Sequence, residues 1–291
     1  MLQRSNDSKF PSLTDRFVQY AKVMTQADES SESYPSSACQ LDLARILVSD
    51  LQELGIDNAS VDKYGYVTAS IPANDPAFEN VPVIAFMAHM DTYPEVSGEN
   101  VVPTFHENYQ GGDIALPNDG VVIKASENPY LAECVGETII TADGTTLLGA
   151  DDKAGVAEIL EAMTRIVENP DFKHGPFKIA FTPDEEVGAG VKYFDVKGFG
   201  ATVAYTMDGG ERGSIENETY CADSAIVKFI GRDIHPGYAK DIMVPSIKVA
   251  GEFLSMLPRD LAPETTCDMQ GYLHPISITG NTSSTEVAVL L

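Results

Sequence analysis

The sequence contains no tryptophan, only four cysteines, and 19 basic residues against 44 acidic ones. The shortage of basic charge leaves a formal net charge of −25, which repels phosphate backbones and anionic lipids. Binding to nucleic acid or to a membrane surface is therefore not expected. The cysteines are scattered and form no Cys-x-x-Cys pair, a pattern typical of free thiols in a reducing cytosol. We expect a cytoplasmic protein whose excess of carboxylates attracts cations.

Long apolar segments are also missing. The longest apolar stretch, residues 81–90, is interrupted by Pro82 and His89 and is far shorter than the roughly 20 residues that a membrane-spanning helix needs. The first nine residues contain no apolar segment of the secretory type. The 43% hydrophobic content of the 291 residues is nevertheless enough for a large core, which excludes wholesale disorder.

Apolar periodicity predicts helices that alternate with strands over the first two thirds of the chain. One amphipathic helix is predicted around Phe17, with Ser12 or Thr14 as its N-cap, and a second around Leu47, ending at Gly55. A hairpin is predicted at residues 59–71, and apolar strands at 82–88, 177–181 and 201–207. Residues 98–137 are loop-like, and short segments at 138–141 and 145–148 precede a third helix at 154–167. This alternation favours an α/β fold with a mostly parallel sheet flanked by helices.

The pattern changes at about residue 215. One strand is predicted at residues 224–230, one helix at 244–257, and a pair of strands within residues 274–291. Such a unit is typical of a small α+β domain. We therefore divide the chain into residues 1–214 and residues 215–291.

Acidic or imidazole side chains follow the predicted strands or precede the third helix. They form four clusters: His89 with Asp91, Asp151 with Asp152, Glu185 with Glu186, and Asp208. A single acidic residue at such a position is usually a helix cap or a solvated turn, and that alternative stays open for each one alone. Because ligands bind beyond the carboxyl ends of parallel strands, four clusters together indicate a divalent metal site.

The spacing within two clusters adds detail. Residues two apart on a strand point the same way, so Asp91 can lie beside the imidazole of His89 and fix its tautomer. The adjacent Glu185 and Glu186 cannot both face one point on regular structure. One of them can bind a metal ion while the other handles a proton, although an acidic turn in solvent remains the alternative.

Three segments resemble the dizinc aminopeptidase and deacylase superfamily: residues 88–92 (Ala-His-Met-Asp-Thr), 147–155 (Leu-Leu-Gly-Ala-Asp-Asp-Lys-Ala-Gly) and 181–188 (Phe-Thr-Pro-Asp-Glu-Glu-Val-Gly). Residues 107–115 (Glu-Asn-Tyr-Gln-Gly-Gly-Asp-Ile-Ala) and 204–210 (Ala-Tyr-Thr-Met-Asp-Gly-Gly) are similar to the peptidase T branch, the tripeptide aminopeptidases. The resemblance runs in order from about Leu13 to the last residue. It implies a zinc-peptidase catalytic domain followed by a smaller lid domain.

The resemblance also implies a site with two zinc ions. Asp151 is expected to bridge both ions, His89 and Asp208 to complete the first, and Glu186 to bind the second. Glu185 is expected to act as the general base and Asp91 to orient His89. The peptide bond between Asp151 and Asp152 is expected to be cis.

Residues 215–291 are expected to serve as the lid and dimerisation domain. His235 matches a lid-domain histidine that relatives direct at the reaction oxygen. The implied partners are small peptide substrates and a second copy of the chain, paired through the lid.

Family members continue beyond the point that corresponds to Leu291, so we expect a chain truncated at its C-terminus, with an incomplete lid. The second zinc would then lack its C-terminal histidine and would bind more weakly than the first. Three functions stay open: a tripeptide aminopeptidase, a metal-binding fragment without activity, and a related amidohydrolase or dipeptidase. Residues 107–115 argue against the last.

Overall fold

The computed structural model describes residues 2–5, 7–219 and 221–291. The chain divides into two units, one ending at Ile215 and the other comprising Glu216–Leu291. Among the described residues, no helix has both the length and the apolar character required to cross a bilayer.

The described helices of the first unit are α1 (Leu13–Ala21), α2 (Gln40–Glu53), α3 (Ala150–Glu168) and the short α4 (Val196–Phe199). Ser12 caps α1 as predicted: its Oγ accepts a hydrogen bond from the backbone N–H of Asp15, and the carboxylate of Asp15 accepts one from the N–H of Ser12. Gly55 follows α2 with a φ of +84°, a left-handed conformation that ends the helix.

The described strands of the first unit are β1 (Ser60–Val61), β2 (Val67–Ile71), β3 (Ile84–His89), β4 (Thr104–His106), β5 (Ile114–Ala115), β6 (Val122–Ile123), β7 (Ile139–Thr141), β8 (Phe177–Thr182) and β9 (Val203–Thr206). Five of them form one sheet in the order β1-β2-β8-β3-β9. Strand β3 runs parallel to β8 and β9, whereas β2 runs antiparallel to β1 and β8. The predicted α/β fold is confirmed, and its sheet is mixed: β8, β3 and β9 are parallel neighbours, and β2 is the one strand of this sheet that runs the opposite way.

One apolar core joins this sheet to α1, α2 and α3. Its largest fully buried apolar members come from all three helices, from β8 and from the residue that follows β3: Tyr20, Leu43, Leu47, Leu51, Leu160, Met163, Ile179, Phe181 and Met90. Burying such side chains stabilises a fold by roughly 1.5–3 kcal/mol each, so this core fixes the sheet against the three helices.

The stretch between Gly98 and Glu137 is less irregular than predicted. It contains β4, which pairs with β7, and the hairpin of β5 and β6. Strands of two or three residues are too short to show a period-2 pattern, which is why the sequence has only loop signals there.

The second unit contains β10 (Ser224–Ile230), α5 (Ser246–Met256), β11 (His274–Gly280) and β12 (Ser284–Leu290). The strands form an antiparallel sheet in the order β10-β12-β11, and its predicted elements are all present. The buried core of this unit is small: Ala250 from α5 packs with Val287 and Val289 from β12.

Candidate metal centre

Four elements of the first unit bring the acidic clusters to one edge of the five-stranded sheet. Strand β3 ends at His89, β8 leads into Glu185 and Glu186, β9 leads into Asp208, and α3 starts beside Asp151. Because β8, β3 and β9 are parallel neighbours, their carboxyl ends lie side by side.

The side chains of His89, Asp151 and Asp208 converge. Each offers one ligand atom, and these atoms all lie within 4.8 Å of one another. Nε2 of His89 is 2.8 Å from Oδ1 of Asp151 and 3.7 Å from Oδ2 of Asp208. The imidazole is buried, whereas the side chains of Asp151 and Asp208 are 71% and 37% exposed. One imidazole nitrogen and two carboxylates, open to solvent on one side, fit a divalent cation.

Asp91 connects the imidazole to the turn that follows β8. Its backbone carbonyl oxygen is 3.1 Å and its Oδ1 3.4 Å from Nδ1 of His89, so Nε2 is directed at Asp151. The two carboxylate oxygens of Asp91 also accept hydrogen bonds from the backbone N–H groups of Glu185 and Glu186, both at 3.0 Å. Asp91 is fully buried, which restricts it to this geometry.

Glu185 and Glu186 occupy different surroundings. Oε2 of Glu185 lies 3.9 Å from Nε2 of His89, and its side chain is 53% exposed. Glu186 lines a cavity of about 220 Å³ together with Asp151 and Tyr93. The neighbouring glutamates can therefore have separate roles.

Backbone contact sets the spacing between α3 and β9. A Cβ atom on Gly155 would lie 2.2 Å from the carbonyl oxygen of Met207 and 2.3 Å from Oδ1 of Asp152, so any side chain there is excluded. The peptide bond between Asp151 and Asp152 is cis, as expected, and both residues have non-helical dihedral angles.

Two buried groups next to Asp151 had no predicted role. Asp152 accepts hydrogen bonds from the N–H of His89 at 3.1 Å and from the N–H of Gly155 at 3.2 Å, and burial raises the pKa of its carboxyl to about 8. Nζ of Lys153 donates to the carbonyl oxygen of Val23 at 2.8 Å, and burial lowers the pKa of this amine to about 8. Both lie in residues 147–155, yet nothing in that segment indicates which of its polar residues are buried.

The site carries more negative charge than the protein balances. Burial raises the pKa of Glu185, Glu186 and Asp208, and the charge of Asp151 raises all three further. Burial alone would lower the pKa of His89, but its hydrogen bond to Asp91 and the surrounding carboxylates raise it to about 10. Within the described residues, no lysine or arginine forms an ion pair with these carboxylates. A bound cation would supply the missing charge.

His235 belongs to the second unit. It is exposed and precedes a short 3-10 turn, where its Nδ1 accepts a hydrogen bond from the N–H of Gly237 at 3.1 Å. Its role in the reaction stays a prediction.

No family model matches the chain. Curated relatives do: the peptidase T of Clostridium acetobutylicum is 48% identical over 278 residues, which cover 95% of this chain and 68% of that protein. The peptidase T of Geobacillus kaustophilus is 47% identical over 280 residues, covering 96% and 68%. The chain belongs to the peptidase T family.

A third peptidase T, from Listeria monocytogenes serotype 4b, is 48% identical over 270 residues, covering 92% of this chain and 65% of that protein. The chain thus spans 65% to 68% of the length of these members of the peptidase T family.

Solved structures support the same fold. The aminopeptidase PepT of Bacillus cereus has a TM-score of 0.65 at 22% identity, and a tripeptidase of Staphylococcus aureus has 0.66 at 20%. In both, the match covers 96% of this chain and 65% of the other. The Bacillus subtilis YXEP protein, described as a dinuclear metal binding peptidase from the M20 family, has 0.54 at 15%, with coverage of 96% and 63%. The peptidase T family fold is therefore present in this chain.

Proposed function

We propose that this chain carries the catalytic site of a metal-dependent aminopeptidase that removes the N-terminal residue of tripeptides. One observation carries the proposal: a cluster of three ligand atoms within 4.8 Å of one another has the partly buried carboxylate of Glu185 beside it, 3.9 Å from Nε2 of His89. The membership of the peptidase T family, whose curated members are 47–48% identical to this chain, supports the substrate class.

The residues would hold two zinc ions. His89, Asp151 and Asp208 would bind the first, and Asp151 with Glu186 would contribute to the second. The likeness in fold to a dinuclear metal binding peptidase is consistent with two ions. When bound, such cations acidify a water molecule and polarise the carbonyl group of the peptide bond.

Glu185 moves the proton in this proposal. Its carboxylate would take a proton from the attacking water as the water oxygen bonds to the carbonyl carbon. It would return that proton to the nitrogen of the leaving amine as the C–N bond breaks, which completes the hydrolysis. The pKa of Glu185, raised by burial, favours this exchange because a base works best when its pKa approaches the working pH. Its side chain is half exposed, so that both water and the substrate can reach it.

Asp91 and His235 have supporting roles. Asp91 keeps the imidazole of His89 directed at the cation and holds the N–H groups of Glu185 and Glu186. His235 would donate a hydrogen bond to the oxyanion that forms during hydrolysis. Residues 215–291 would act as a lid that pairs two copies of the chain, and the protein would work on small peptides in the cytoplasm.

Hydrolysis of a tripeptide in the presence of Zn²⁺ or Co²⁺ tests this proposal. We expect the substitution Glu185→Gln to lower kcat by about 10²–10⁴-fold, because the amide cannot accept the proton, while metal stoichiometry is unchanged. Glu53→Gln, an exposed glutamate at the end of α2, is the matched control and should keep full activity.

Other results would support the alternatives. A chain that binds metal and releases no amino acid from any tripeptide would be a metal-binding fragment. Hydrolysis of acylated amino acids or dipeptides in preference to tripeptides would indicate a related amidohydrolase. Full activity of Glu185→Gln would refute the assigned base.

A further inference from the structure

The turn that carries Glu185 and Glu186 begins at a constrained residue. Asp184 is 1% exposed and has a φ of +57°, in the left-handed region that residues other than glycine rarely adopt. Such a conformation persists only where the surrounding structure holds it. The directions in which Glu185 and Glu186 leave the turn depend on that restraint.

The side chain of Gln40 holds Asp184 by two hydrogen bonds. Its Nε2 donates to Oδ1 of Asp184 at 2.7 Å, and its Oε1 accepts from the backbone N–H of Asp184 at 3.1 Å. Gln40 is fully buried at the first position of α2. Only this orientation of the amide is compatible with both partners, because the reverse would place Oε1 against the carboxylate.

Ser36 completes the network behind the turn. Its backbone N–H donates to Oδ2 of Asp184 at 2.7 Å and its hydroxyl to Oδ1 at 2.5 Å. On the opposite side, Asp91 accepts the N–H groups of Glu185 and Glu186. The turn is therefore restrained from two sides, and one of them is made by residues that do not touch the metal ligands.

We propose that Gln40 is a positioning residue: by holding Asp184 in the left-handed conformation, it sets the direction of Glu185 and Glu186. Its hydrogen bonds run to Asp184, Ser36 and Ser37 rather than to His89, Asp151 or Asp208. Loss of this amide therefore leaves the first metal site intact and loosens the turn. The effect on catalysis rests on the proposed function, whereas the effect on the turn does not.

Hydrogen–deuterium exchange and steady-state kinetics on Gln40→Met test the proposal. Methionine matches glutamine in length but cannot make either hydrogen bond. We expect the peptide covering residues 183–190 to exchange at least about tenfold faster than in the unsubstituted protein, after correction for global stability. We expect kcat for a tripeptide to fall about 10–100-fold, with KM changed by less than about threefold.

Gln52→Met is the matched control. It makes the same change on the same helix at an exposed position, where the amide donates to the carbonyl oxygen of Ala59 at 3.2 Å. Exchange at residues 183–190 and kcat should both stay unchanged in this variant. If Gln40→Met and Gln52→Met showed the same exchange at residues 183–190 and the same kcat, the proposal would be overturned.

A stability control separates positioning from a general loss of stability. Leu47→Ala, which removes a fully buried apolar side chain on the same helix, should lower the unfolding midpoint but leave kcat and the corrected exchange of residues 183–190 unchanged. If kcat fell in proportion to the unfolding midpoint in every variant, Gln40 would have a purely structural role. If Gln40→Met fails to fold, Ser36→Ala provides a second test, because it removes the hydroxyl that donates to Asp184 and accepts from Asp28 and Gln40. It should also speed exchange at residues 183–190, and unchanged exchange in that variant would count against the network.

The two conclusions fail separately. An unsubstituted protein without peptidase activity would overturn the proposed function, and the exchange experiment would still decide the role of Gln40. An active protein whose residues 183–190 exchange equally with and without the Gln40 amide would overturn the positioning role alone.

Discussion

Helix α3 carries acidic side chains in its first turn and again near its C-terminal end, and their surroundings differ. Glu161, 5% exposed, accepts hydrogen bonds on both carboxylate oxygens, from Arg4 and from Nε of Arg165 at 2.8 Å. Asp151 and Asp152, at the start of the helix, form no ion pair with lysine or arginine in the part of the chain that the structure describes. Asp151 contacts the imidazole of His89, and Asp152 accepts hydrogen bonds from the N–H groups of His89 and Gly155.

The difference separates two uses of the same residue type. A carboxylate paired with arginine inside the chain joins the N-terminal segment to α3. Burial and neighbouring carboxylates raise the pKa of carboxyl groups gathered without such partners, and an added cation can balance the negative charge that remains. The comparison explains why the candidate metal site lies at the first turn of α3 and not around Glu161.

Asp151→Asn tests the carboxylates at the start of α3 that have no basic partner, and it should have the largest effect on metal affinity. Asparagine keeps the shape of the side chain and removes its charge, so we expect the affinity for Zn²⁺ or Co²⁺ to fall by more than about 100-fold. Competition with a chelator measures this. Glu161→Gln, at the paired end, should bind metal with unchanged affinity, and equal losses in both variants would contradict the distinction.

The same contrast predicts how metal binding depends on pH. Without metal, the pKa of His89 is raised to about 10, so its imidazole holds a proton at neutral pH that a metal ion must displace. Because the metal ion and the proton compete for the same imidazole, we expect the affinity to rise about tenfold per pH unit up to about pH 10. Calorimetry in two buffers of different ionisation enthalpy should detect the release of about one proton per tightly bound ion at pH 7. The absence of proton release would contradict the charge assigned to His89.

Glu161→Gln tests the paired end through stability. The substitution removes the charge that Arg4 and Arg165 share, and we expect the free energy of unfolding to fall by about 1–3 kcal/mol. The side chain of Arg165 is 37% exposed, so water replaces part of the lost interaction and favours the lower end of this range. Urea denaturation of the metal-free protein measures the change.

An exposed ion pair provides the control. Asp42 and Arg45 are 2.7 Å apart on α2, and both side chains are 65% exposed. Asp42→Asn should change the free energy of unfolding by about 0.5 kcal/mol or less, because solvent screens the pair. A loss as large as that of Glu161→Gln would mean that burial does not distinguish the two pairs.

Much of the fold could be predicted because long elements leave periodic patterns. The strand at Ser224–Ile230 and the cap at Ser12 are present as the sequence indicates. The strands β4, β5 and β6 were missed, because two or three residues cannot show a period, whereas β7 lies where a short apolar segment was predicted. The start of α3 was placed about four residues late, because Asp151 and Asp152 are not helical in their dihedral angles.

The site was predictable only in part, for a different reason. His89, Asp151 and Asp208 follow or precede elements whose order in the sheet puts them together, so local position was informative. Gln40 lies 144 residues from Asp184 and is one glutamine among others on an amphipathic helix. No local pattern distinguishes an amide that supports a distant turn from one that faces solvent.

The contact of Gly155 with the backbone of Met207 has a consequence for redesign of this site. Selectivity among divalent ions depends on how far apart the ligands are held, and here Gly155 lets the backbone that follows Asp151 approach the backbone of Met207, which precedes Asp208. Substitutions around the site can therefore alter how tightly an ion is held more easily than which ion fits. A change in which metal ion is preferred would require the backbone to move. Metal preference should therefore change far more slowly than metal affinity as the surrounding sequence diverges.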